Sequence, residues 1–149
     1  MTTRIRFSRR EVLDLFAAWI ALSVAFTLFL NPSLLQGATV VPLEDVFTAF
    51  ARELLMSLGT VGVAFVLHEL AHKVVAVRFG QVAAFRADYG MLLLAVVSAL
   101  AGFIFAAPGA VVHRGRLTPR ESGLIALAGP ATNLALAAVF LPLALLAGS

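Results

Sequence analysis

Residues 54–79 read LLMSLGTVGVAFVLHELAHKVVAVRF, an apolar run whose ionisable residues, His68, Glu69, His72, Lys73 and Arg78, all lie in its second half. Glu44 and Asp45 place acidic charge where a helix begins, and Gly80 offers a C-cap, so the pattern predicts one unbroken helix over 45–79. Its first turns, with Arg52 and Glu53, belong at an interface. The apolar part starts near Leu54 and is long enough to cross a bilayer. It ends around Lys73 and Arg78, so His68, Glu69 and His72 lie inside the span, in its inner third, where charge is costly and an idle role is hard to sustain.

The whole chain supports that environment. Of its 149 residues, 61% are hydrophobic and 13% charged, with mean hydropathy +0.99. A soluble domain is about 45–50% apolar and about 25% charged. A domain this small has no interior large enough for the excess, so the expected surrounding is the lipid bilayer. With no cysteine, disulfides, iron–sulfur clusters and thiolate zinc sites are excluded. A net charge of +3 and a pI of about 10.6 would suit nucleic acid. The basic residues instead sit at the ends of apolar runs, where they anchor helices at a membrane surface, so no nucleic-acid partner is expected.

Outward from the quoted stretch, three further segments are legible. Ser8 and Glu11 have capping-box spacing, and a first helix is expected over 12–30, stopped by Asn31-Pro32. That run is too long for a cleavable signal, and no small-residue cleavage site follows. A short apolar run at 91–107 ends at Pro108-Gly109. Thr118, Pro119 and Glu121 then mark the start of a last helix over 119–146, expected to kink at Pro130 and to break at Pro142.

The predicted fold is a single all-α membrane domain over 1–149, with about three transmembrane helices and a re-entrant or hairpin segment at 91–107. Charge decides the topology. If 91–107 returns to the side it entered from, ten of the eleven Lys and Arg share the side of the N-terminus and only Arg52 lies opposite. If it crosses, the split is seven to four. The first arrangement obeys the positive-inside rule and puts the N-terminus in the cytoplasm of a multi-pass cell-membrane protein.

His68-Glu69-Leu70-Ala71-His72 is H-E-x-x-H on a helix. One turn separates the histidines, so both imidazoles project from one face and can grip a single Zn2+ ion. Glu69 lies beside them, placed to take a proton from water acidified by the metal. Random placement of this chain's His and Glu would give the pattern roughly 0.002 times. A metzincin continuation needs Gly at position 75 and His at 78, where this chain has Val75 and Arg78. A second constellation is Gly129-Pro130-Ala131-Thr132-Asn133. Pro130 cannot donate to the Ala126 carbonyl, and Ser122, Ala126, Gly129, Asn133 and Ala137 form a stripe that permits close helix approach. Asn133 reads either as a packing residue bonded across to a neighbour or as a group that orients a ligand or a substrate backbone.

The stretches FVLHELAHKVVAVRFG (65–80), FIFAAPGAVV (103–112) and IALAGPATNLALA (125–137) resemble the site-2 protease family of intramembrane zinc metalloproteases, over about residues 54–140. The resemblance implies cleavage of peptide bonds in transmembrane protein substrates, with His68 and His72 as zinc ligands, Glu69 as general base and Asn133 as a polar partner. It also implies a third ligand, an aspartate in an Asp-Gly motif on a further helix. No Asp here precedes Gly: Asp14 precedes Leu15, Asp45 precedes Val46 and Asp88 precedes Tyr89. Asp88 is the carboxylate nearest in sequence to the motif after Gly80, and beside Arg86 it also reads as half of an interfacial ion pair. Otherwise the third donor comes from a second chain in a homo-oligomer or from sequence outside these residues, or the site is inactive. Two other functions fit less of the pattern: a non-catalytic membrane protein of the same fold that binds transmembrane clients, and a metal transporter. A transporter would carry further carboxylates or histidines within its spans.

Overall fold

A computed structural model describes residues 4–37 and 41–148. In chain order the elements are α1 (Arg9–Leu30), α2 (Ser33–Gly37), α3 (Leu43–Gly59), α4 (Val61–Arg78), β1 (Val82–Ala87), α5 (Tyr89–Leu100), β2 (Gly109–Arg114) and α6 (Pro119–Ala147). The molecule is mostly helical, and three stretches, Arg9–Leu30, Leu43–Arg78 and Pro119–Ala147, are long and apolar enough to cross a membrane.

α1 is the hub. Glu11, Asp14, Ala18, Leu22 and Ala25, spaced by three and four, form its buried stripe and face α3, α4, α5 and β1. Small side chains let these helices approach closely, as Ala25 does against Ala95 and Ala99 of α5. α6 packs chiefly on α4. Its outer face is bare, with Leu134 71% and Leu146 74% exposed, as a lipid-facing helix requires.

The helix expected over 45–79 is two helices, broken at Thr60, whose backbone lies at φ −109°, ψ −85°. Trp19 causes the break to be tolerated. Its indole N–H donates to the Leu58 carbonyl at 3.0 Å, and its ring lies against Gly62, where a Cβ would overlap it. A carbonyl that leaves the helical ladder is thereby satisfied from α1. Gly80, at φ +78°, ends α4 as expected, with Gln81 N–H bonded back to Ala76.

An all-α fold is also not what forms. β1 and β2 pair antiparallel from Val82↔Arg114 to Ala87↔Gly109. Their sequences, VAAFRA and GAVVHR, are short, and each finds its hydrogen-bond partner only across the intervening α5, beyond the reach of a local pattern. The segment 88–108 therefore leaves the sheet and returns to it, with Asp88 N–H donating to the Pro108 carbonyl at 3.0 Å. α5 is only 12 residues long, about 18 Å of helix. Gly102 (φ +85°) turns the chain back, and Ser98 Oγ accepts from Phe105 N–H at 3.0 Å.

Three local expectations change. α6 runs continuously through both Pro130 and Pro142, so no break occurs at Pro142. Its start is as expected, a full capping box between Thr118 and Glu121. At α1 only half a box forms: Ser8 accepts from Glu11 N–H, but the Glu11 side chain goes elsewhere. It receives both oxygens' bonds from Lys73 Nζ at 2.6 Å and one from Phe85 N–H at 3.0 Å. Lys73, expected near the membrane surface, is 1% exposed, donates also to the Arg6 carbonyl and lies 3.8 Å from the Phe7 ring centre. Asp88 is not half of an ion pair with Arg86. It caps α5 by accepting from Met91 N–H, while Arg86 approaches the buried Asp14, which accepts from Tyr89 Oη at 2.8 Å.

Candidate metal centre

His68 and Glu69, with His72 one turn further on, lie on the side of α4 that meets α6 and the hairpin. The imidazoles converge, with His68 Nε2 and His72 Nε2 3.0 Å apart. Two nitrogens bound to one tetrahedral zinc at 2.0–2.1 Å stand about 3.3 Å apart, so the pair is close to the bite such an ion needs.

α6 holds both rings from behind. His72 Nδ1 lies 2.6 Å from the Ile125 carbonyl. A carbonyl only accepts, so Nδ1 carries the hydrogen and the Nε2 lone pair is free for a metal. His68 Nδ1 lies 3.1 Å from the Asn133 amide nitrogen. An amide nitrogen only donates, so in this contact His68 Nδ1 accepts; an amide flipped to present Oδ1 would give His68 the tautomer of His72. Gly129 sits between these two contacts. A Cβ there would overlap Nε2 of both histidines, so only glycine lets α6 come this close. Pro130 follows on α6.

Two cavities flank the carboxylate. One, of ≈ 400 Å³, has Glu69 and the histidines on one wall, β2 on another, and Ser122, Ile125 and Ala126 of α6 on the third. The other, of ≈ 360 Å³, shares His68 and Glu69 and continues past Leu22, Phe26 and Phe65 to Asn133. Glu69 itself is buried, 7% exposed, and opens to both. The first cavity also receives His113, on the strand face that carries Val111. Among the described residues no third His, Cys, Asp or Glu joins the pair in a metal-binding group. Asp88, capping α5, is therefore not part of the site.

His113 was missed because its neighbours do not announce a strand. The Ile125 carbonyl carries no side-chain signal at all, and only the Gly-Pro pair four residues on hints that the backbone matters there.

Fold and site together define a helical, lipid-compatible chain in which a two-histidine, one-carboxylate motif is clamped by a glycine-faced helix. A Methanocaldococcus jannaschii protein named "Putative zinc metalloprotease" is 41% identical to this chain over 143 residues, which are 95% of this chain and 65% of that protein. The chain thus spans less than two thirds of that relative's length. No family model matches the chain, and no solved structure matches it.

Proposed function

We propose that this chain is the zinc-binding core of an intramembrane metalloprotease of the site-2 type, hydrolysing peptide bonds of transmembrane protein substrates. The observation that carries the reading is the 3.0 Å approach of His68 Nε2 and His72 Nε2, with each Nδ1 met by α6. The name of the similar archaeal protein supports it. His68 and His72 hold the ion, and a third donor comes from a second copy or from sequence outside these residues. Zinc supplies acidification of water and polarisation of the scissile carbonyl when bound.

The chain's own residues do the rest. Glu69 takes the proton of the attacking water and delivers it to the departing amine. Asn133 fixes the His68 ring, as outer partners of metal-bound histidines do. Water enters by the cavity that His113 and Ser122 line, on the side of Arg114, Arg116 and Arg120. The apolar cavity past Phe26 and Phe65 faces the lipid-embedded substrate. A helix must unwind before its peptide bond is attacked, and β2, with one edge unpaired in the two-stranded sheet, offers an extended segment a strand to join.

The N-terminus is cytoplasmic, and 88–108 dips into the membrane and returns. Its helix of about 18 Å is short against a hydrocarbon core of about 30 Å, and both its ends are tied to one hairpin.

Glu69→Gln tests the reading. The amide keeps the shape but accepts no proton, so the variant should hold zinc as wild type does and lose all cleavage of a transmembrane substrate. Cleavage at the wild-type rate would remove Glu69 from the role of base. A protein that carries the third donor, binds clients and zinc but never cleaves would favour the non-catalytic client-binding reading.

A further inference from the structure

Pro130 leaves one atom of the α4–α6 seam without a partner in the helical ladder. Within an α-helix the N–H of residue 130 would donate to the carbonyl of residue 126. α6 continues unbroken through Pro130, which has no N–H, so the Ala126 carbonyl has no i+4 donor. Ala126 lines the cavity that holds His68, Glu69 and His72, with β2 on its far wall. The preceding carbonyl, of Ile125, is already bonded to His72 Nδ1 across the seam. Ala126 is exposed, so its carbonyl is open to an incoming group. Alanine at position 130 would fill that acceptor from within the helix, yet the chain carries proline beside the glycine that approaches both imidazoles.

We propose that the Ala126 carbonyl is a substrate-binding acceptor, held open by Pro130 for the N–H of the scissile peptide bond. The inference rests on the metalloprotease reading and adds to it the atom that orients the amide. A peptide lying between β2 and α6 would have its carbonyl turned towards the two histidines and its N–H towards α6. The ligand recognised is a backbone amide, independent of side chain.

The test uses the full chain, zinc-loaded in detergent, with benzohydroxamate and its N-methyl analogue as probes. Both bring the same two oxygens to a metal, but only the first has an N–H to give. Wild type should bind benzohydroxamate about 5- to 10-fold more tightly than the N-methyl form, the worth of one hydrogen bond. Pro130→Ala or Pro130→Ser restores the helical donor and should bring that ratio close to 1. Pro142→Ala, in the same helix and outside both cavities, should keep the wild-type ratio. Equal binding of the two probes by zinc-loaded wild type overturns the inference alone, as does a Pro130→Ala ratio equal to that of wild type. Wild type that takes up no zinc overturns the protease reading and the inference with it.

Discussion

Gly129→Ala is the smallest change that strikes the centre of the site. The added methyl would meet Nε2 of His72 together with Nε2 and Cδ2 of His68. These separations fall roughly 1 Å short of ordinary contact, and the neighbours are ring atoms held from behind rather than a flexible chain end. Either α6 retreats, stretching the 2.6 Å contact between His72 Nδ1 and Ile125, or the rings rotate and the 3.0 Å bite opens. Overpacking of this kind costs about 1–3 kcal/mol of stability. Zinc affinity should fall at least about 10-fold, or about 1.4 kcal/mol, because both donors move. Chelator competition in detergent reads the affinity, and a thermal melt of the same sample reads the stability. Gly123→Ala is the matched control: it lies on the same helix with nothing within 4 Å of the new Cβ. Alanine should be neutral or favourable there by up to about 1 kcal/mol. If Gly129→Ala kept wild-type zinc affinity and melting, the clamp of α6 on the two histidines would be wrong.

Single cysteines at Ala84 and Arg116 of this cysteine-free chain should both react only with a reagent applied from the cytoplasm, and one at Arg52 only from the opposite side. Labelling of Ala84 and Arg116 from opposite sides would mean that 88–108 crosses. Lys73→Met should destabilise the chain by about 3–5 kcal/mol, since it strands the buried Glu11 carboxylate. Adding Glu11→Leu to it should recover most of that loss in a thermal melt; a double variant no better than the single would show that the pair does not act as a unit.

The lipid-compatible helices, the Thr118 capping box and the Gly80 cap were legible because each depends on residues a few positions apart. The motif on α4 was legible for the same reason, since a helix brings positions 68, 69 and 72 together without help from the rest of the chain. What the sequence hid depends on distant partners. Thr60 breaks a helix that composition would continue, because Trp19, 39 residues before Leu58, captures its carbonyl. β1 and β2 are recognisable only once paired, and with them His113 enters the cavity. Glu11 looks like a capping residue from its neighbours, and Lys73 like a surface anchor. Their 2.6 Å contact spans 62 residues and ties α1 to the metal-motif helix one residue beyond His72. Asn133 was left between packing and ligand orientation on sequence grounds; its 3.1 Å approach to His68 Nδ1 is a bond across to the neighbouring helix and fits both.

Metal content bears on the central claim most directly. Elemental analysis of the purified chain in detergent, after zinc has been offered and excess removed, should give one zinc per chain in wild type, and His68→Ala with His72→Ala should abolish it. Retention of the metal by that double variant, or less than about a tenth of an equivalent in wild type, would contradict the account.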